Sequence, residues 1–194
     1  MIVNMRKRII SIATISFFLL SVLIAIVLYV RIKEKNDEKR YIAEVERQVI
    51  DKLTIIRRAE VAYFSINNTY TDNWDSLKVF LNEANFYITN RTEDIIARPY
   101  GGDSVVVSYD TLRVVSVKDS LFSKDYPNFD ISTIGKLPHK DTLFNVYAAI
   151  FEEGAVIEVE DSKPVNPMRQ EGGIYKPLKF GSQSAPTTKG NWEK

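Results

Sequence analysis

The sequence has no cysteine and a single histidine, His139, among its 194 residues. The first absence excludes disulfides, zinc–thiolate centres and thiol nucleophiles, and the second excludes histidine-rich metal sites. An excess of one charge is also missing. With 26 Lys and Arg against 25 Asp and Glu the net charge is +1, which provides no basic surplus to hold a nucleic-acid backbone. Neither proline nor glycine occurs before Pro99, so the first half of the chain lacks the two residues that break helices most strongly. Catalytic signatures are lacking as well: there is no Gly-x-Ser-x-Gly elbow, phosphate loop, His-Glu-x-x-His or Asp-rich calcium loop. His139 sits in Leu137-Pro138-His139-Lys140-Asp141, a loop composition in which a solvated imidazole is expected. Glu152, Glu153, Glu158, Glu160 and Asp161 are the densest carboxylates. Glu158 and Glu160 alternate with Ile157 and Val159, which predicts the wet face of a half-buried strand; a divalent-cation site is the alternative. No catalytic, cofactor-binding or metal-ligating residue is assigned, no cofactor is expected, and the chain reads as non-enzymatic.

What is present is a long apolar run. From Ile9 to Val30 no charge occurs, and at ~1.5 Å per residue a helix of this length spans a hydrocarbon core of about 30 Å. Ser11, Thr14, Ser16 and Ser21 are hydroxyls that can bond back to the preceding turn. The run is too long for a secretory signal and ends in Leu28-Tyr29-Val30-Arg31 without an Ala-x-Ala-like cleavage site, so it reads as a retained anchor. Arg6, Lys7 and Arg8 precede it, whereas the residues beyond 30 hold 23 basic and 25 acidic side chains. The flank beyond the span is itself rich in Lys and Arg, so counting alone does not orient the helix. The purely basic tip favours a cytoplasmic N-terminus. The expected address is the inner (cytoplasmic) membrane, crossed once, with the C-terminal domain in the periplasm.

Beyond the span, Ile42, Val45, Val49, Leu53, Ile56, Ala59 and Tyr63 recur at intervals of three or four and line one helix face. That stripe receives the protein's own sheet, meets equivalent helices of other subunits, or does both on different turns, with Ile42, Val45, Val49, Leu53 and Ile56 as the candidate interface. Asn67-Asn68-Thr69 should stop the helix. A second, shorter helix should follow Thr71 or Asp72 as N-cap and bury Trp74, Leu77, Phe80 and Leu81. Strands are predicted over residues 86–90, 94–97, 105–109, 113–117, 146–151 and 155–159. The organisation is therefore a basic tail (1–8), a transmembrane helix (9–30), an amphipathic helix (31–66), an α+β extracytoplasmic domain packed on that helix (67–180) and a flexible polar tail (181–194). The fold class is α+β, with the membrane helix continuing into the amphipathic one, then a short helix and a mostly antiparallel sheet.

Asp followed by Ser or Thr and an aliphatic residue recurs at 75–77, 103–105, 110–112, 119–121 and 141–143. Side-chain turns account for such triplets. The triplet also resembles the O-glycosylation sequon of Bacteroidetes-type bacteria, which marks Ser76, Ser104, Thr111, Ser120 and Thr142 as candidate acceptors.

Two further patterns resemble a group of single-pass membrane proteins from those bacteria. One is Lys52-Leu53 with Ile56-Arg57-x-Ala59-x-x-Ala62-Tyr63, then Tyr70, Trp74-x-Ser76-Leu77 and Phe80; the other is the terminal Gly190-Asn191-Trp192-Glu193. The first is also similar to the stretch after the long helix of type IV pilins and type II secretion pseudopilins. The apolar run has no Gly-Phe-type processing site and no acid, so the resemblance implies a pilin-like shape rather than pilin-style processing. It implies a membrane-anchored protein of the cell envelope acting in protein–protein assembly, by self-association or with other envelope proteins, in a pilin-like or secretion apparatus. Trp74, Tyr100 and Tyr175 are a region in which to seek an interface. The alternative is an envelope sensor or ligand- or glycan-binding domain. The expected partners are the lipid bilayer and other envelope proteins, not nucleic acid.

Overall fold

A computed structural model describes residues 2–97, 103–152, 154–169 and 176–193, with side chains from Ser16 onward apart from Ala97 and Asp103. The architecture is α+β: a long N-terminal apolar helix, short helices and antiparallel sheets. The chain divides into two units, Met1–Val45 and Glu46–Lys194. The first is entirely helical from Ile2 onward and belongs to α1 (Ile2–Asn67). Its apolar side chains, Phe17, Leu20, Ile24 and Leu28 among them, are exposed. A helix this long and apolar near the N-terminus is compatible with a single-pass membrane anchor.

In the second unit α1 runs on until Asn68 adopts a left-handed conformation with φ 57°. The Asn68 N–H donates to the Phe64 carbonyl at 2.8 Å, an asparagine C-cap. Helix α2 (Trp74–Glu83) is capped by Asn73, whose side-chain oxygen accepts the N–H groups of Asp75 and Ser76. The cap is thus neither Thr71 nor Asp72, as the sequence suggested. Thr71 acts one step earlier, its hydroxyl accepting the Asn73 N–H at 3.1 Å. Leu77, Phe80 and Leu81 are buried. Trp74 is only half-buried and lies against Gly135, where a Cβ would stand 2.6 Å from the indole.

Strands β1 (Asn85–Ala97) and β2 (Asp103–Ser116) form a two-stranded antiparallel sheet of their own. The sequence predicted four short strands here. Residues 91–93, between the first two predicted strands, belong to the ladder as well, because both faces meet solvent and no core penalises a polar side chain. The final predicted strand residue, Val117, is instead buried at the start of α3 (Val117–Phe122), and its N–H donates to the Ala84 carbonyl at 3.0 Å. The second sheet is antiparallel in the order β3 (Asn145–Phe151), β4 (Gly154–Glu160), β5 (Lys179–Gly181).

Three expectations are corrected in that second sheet. Glu158 does not face water: it is buried, with Lys179 Nζ at 2.6 Å and Gln183 Nε2 at 2.8 Å. Strand β4 is central and buried on both faces; on the face expected to be wet, side chains from its neighbour β5 (Lys179) and from the segment after it (Gln183) meet Glu158. Strand β5, three residues long, is too short for alternation to reveal. Nor is the segment from Gly181 free. Its backbone is tied by Gly181 N–H to the Lys189 carbonyl, Asn191 N–H to the Lys179 carbonyl, and a bridge between Phe180 and Gly190. Finally, His139 is half-buried, with Nε2 3.1 Å from the Lys163 carbonyl oxygen, rather than solvated.

Candidate functional site

The helical stripe is the first place to look for an interface, and it is occupied. Val49, Leu53, Ile56 and Ala59 are buried within the protein's own core, with Leu77, Ile134, Ile157 and Phe180 among the other fully buried side chains. Val45 is buried and Ile42 half-buried. Val49, Leu53 and Ile56 therefore present no free surface to another subunit, and that part of the stripe is a core face.

Charged side chains on the same helix secure what packs over it. Glu46 accepts from Arg169 Nε at 2.6 Å and Asn166 Nδ2 at 3.0 Å. Burial works to raise the Glu46 carboxyl, but these two hydrogen bonds outweigh it and hold the group below its ordinary value. Arg57 pairs with Glu193 and Arg58 with Asp125. Lys52 lies 4.5 Å above the Phe129 ring and donates to Thr133 at 3.3 Å; burial pulls its ammonium down to about 8, against the pull of Asp130.

Glu60 is the acid that sequence reasoning missed. It is 1% exposed, and one carboxyl oxygen accepts the Thr71 N–H at 3.2 Å. Burial pushes the carboxyl up to about 8, opposed by that hydrogen bond and reinforced by Asp72. The available signal was its spacing, four residues after Ile56 and three before Tyr63, on the apolar face.

The exposed apolar surface lies on the β1–β2 arm. Residues 87–96 and 105–114 are exposed throughout. Register places Tyr87 beside Val114, Arg91 beside Tyr109, Glu93 beside Val107 and Ile95 beside Val105, all on one face. Ile95 is left 71% and Tyr109 68% exposed, so these side chains are scarcely covered by the fold. Arg91 and Glu93 neutralise one another in an ion pair at 2.5 Å. The apolar area on this face alone is on the order of 500 Å², at the upper end of what a monomer exposes. Isolated two-stranded hairpins are marginal in water.

Two open cavities are less informative. One of about 460 Å³ is lined by Phe151, Glu152, Val156, Gln183 and Ser184. The other, about 450 Å³, is lined by Arg57, Arg58, Val61, Phe86, Ser120 and Leu121. Their strongest donors are engaged elsewhere: Gln183 with Glu158, Arg57 with Glu193, Arg58 with Asp125. Among the described residues no three carboxylate or imidazole groups gather as a metal-ligand set.

Of the candidate acceptors, Ser76, Thr111, Ser120 and Thr142 are exposed and Ser104 is half-buried. Tyr100 and Tyr175 lie outside the described residues. The two patterns behind the family resemblance meet in space, because Arg57 of the first holds Glu193 of the second. No family model matches the chain, and none of the curated proteins or solved structures does.

Proposed function

We propose that this chain is a non-enzymatic assembly protein of the cell envelope. In this reading it is anchored in the inner membrane by its N-terminal helix, with its α+β domain in the periplasm, and takes part in a pilin-like or secretion apparatus. The observation that carries the reading is the β1–β2 arm: two long strands paired only with each other, with isoleucine, valine and tyrosine exposed along them. A surface of this kind is stabilised when another protein covers it. The sensor or ligand-binding reading draws on the cavity beside the β3–β4 turn, but that cavity's Gln183 amide already serves Glu158, which favours assembly.

A photocrosslinker placed at Tyr109 in native membranes tests the proposal, with Val79, an exposed residue on α2, as the control position. Protein adducts at Tyr109 and none at Val79 are expected. Uncrosslinked monomer at both positions would remove the assembly reading.

A further inference from the structure

We infer that the partner of the arm is a second copy of this chain, joined edge to edge through β1 so that two hairpins form one four-stranded antiparallel sheet. This deepens the assembly reading and rests on it.

Three observations carry the inference. The first concerns which edge is regular. Between Ile88 and Thr89 the register shifts: Ile88 faces Arg113 and Thr89 faces Thr111, so Leu112 is the extra residue and lies in β2. A bulge disrupts the edge it sits on, and β1 is left as the uninterrupted one.

The second is charge. When identical strands pair antiparallel about a two-fold axis, residue i meets a residue an even number of places away, because backbone groups must point the same way at both partners. On β1 the charged residues are Arg91, Glu93 and Asp94. Centring the axis on Thr92 sets Arg91 opposite Glu93 of the other copy, and the reverse, and sets Asn90 opposite Asp94. Shifting the centre by one residue either way puts Arg91 against itself or Glu93 against itself, which costs free energy. Charge therefore selects one register. In that register Ile88 meets Ile96 and Thr89 meets Ile95, both good cross-strand pairs.

The third is stability. A lone pair of strands is marginal in water, whereas three or more strands with an apolar face hold together. Self-pairing supplies the missing strands.

The test uses the full-length protein in membranes. The chain has no cysteine, so Thr92→Cys is a unique thiol. Across the axis the two Cα atoms would stand about 4.5–5.5 Å apart, within disulfide range. Ser108 faces Thr92 from β2, and Ser108→Cys, on the far strand, is the control. Mild oxidation should yield disulfide-linked dimer from Thr92→Cys and none from Ser108→Cys. Adding Arg91→Glu should abolish the dimer, and Arg91→Glu with Glu93→Arg should restore it. All these side chains are exposed, and circular dichroism checks that each variant is folded.

Equal crosslinking at the two positions, or a Thr92→Cys dimer unaffected by Arg91→Glu, would overturn the inference. If no Thr92→Cys dimer forms while the Tyr109 crosslinker captures a different protein, the second copy is wrong and the assembly reading stands. If neither forms, both fall.

Discussion

Arg57 and Glu193, 136 residues apart in sequence, form an ion pair at 2.5 Å. The Arg57 guanidinium also lies 6.0 Å from the centre of the Trp192 ring, and the Thr188 carbonyl accepts from it at 3.4 Å. One side chain on α1 thus holds the end of the described chain in three ways. The hydrogen bond from Arg57 keeps the Glu193 carboxyl below its ordinary value. The pair should therefore persist above the normal carboxylate range and be lost only as pH falls through the depressed value.

Replacing Arg57 by Ala should release the terminal segment. In a Trp74→Phe background, Trp192 emission should shift to the red and the segment should become sensitive to protease. Glu193→Ala should reproduce the change, and the double variant should add little to either. Full additivity would mean that the two residues do not act as a pair.

Gly181 has φ 80°, and a Cβ there would lie 1.9 Å from the Ile157 carbonyl oxygen. Gly181→Ala combines a left-handed strain with a backbone collision, so β5 cannot stay in register. We expect a loss of about 3 kcal/mol or more in denaturant unfolding. An unchanged midpoint would contradict the pairing of β5 with β4.

Leu53 is fully buried. Leu53→Ala should cost about 2–5 kcal/mol through lost burial and the cavity left behind. The size of any complex formed by the protein should not change. A variant with intact stability but altered complex size would return the helix stripe to the role of an interface.

Glu60 makes stability depend on pH. Its folded value, about 8, lies above the ordinary value of 4.5, so in that interval the folded state keeps a proton that the unfolded state has released. Stability is then fully present below the unfolded value and falls as pH rises toward the folded one, by up to ~1.4 kcal/mol per pH unit. Glu60→Gln should flatten the denaturation midpoint between about pH 5 and about pH 8. A wild-type midpoint that rises over this interval would have the wrong sign.

The Asp-Ser/Thr-aliphatic triplets make a separate prediction. Ser76, Thr111, Ser120 and Thr142 are exposed, so enzyme access is available at four sites. Protein purified from its native host should exceed the unmodified mass of 22.2 kDa by whole sugar units. The unmodified mass alone would remove glycosylation.

Much of the fold was legible because its causes are local. The charge-free run from Ile9 to Val30, the stripe from Val45 to Ala59 and the Asn67-Asn68 stop each act within one turn of helix. Glu158 was misread because its environment is supplied by Lys179 and Gln183 from a strand of three residues and the segment after it. The tail after Gly181 was misread for a similar reason: its polar composition is that of a solvated segment, yet its backbone pairs with β5. The arm was half legible. Alternation revealed strands on both sides of residues 98–102, but exposure on both faces depends on what fails to pack there, which no local pattern records.

The central claim, that the β1–β2 arm is an assembly surface, is tested most directly by the size of the complex extracted from native membranes in mild detergent. Wild-type protein should be compared with a variant carrying Ile88→Ser and Ile96→Ser, the β1 residues that meet across the edge. Both side chains are exposed, so the melting temperature should stay close to that of the wild type. The wild-type complex should be larger than the monomer, and the variant should collapse toward monomer. A wild-type monomer, or a larger complex that the substitutions leave intact, would contradict it.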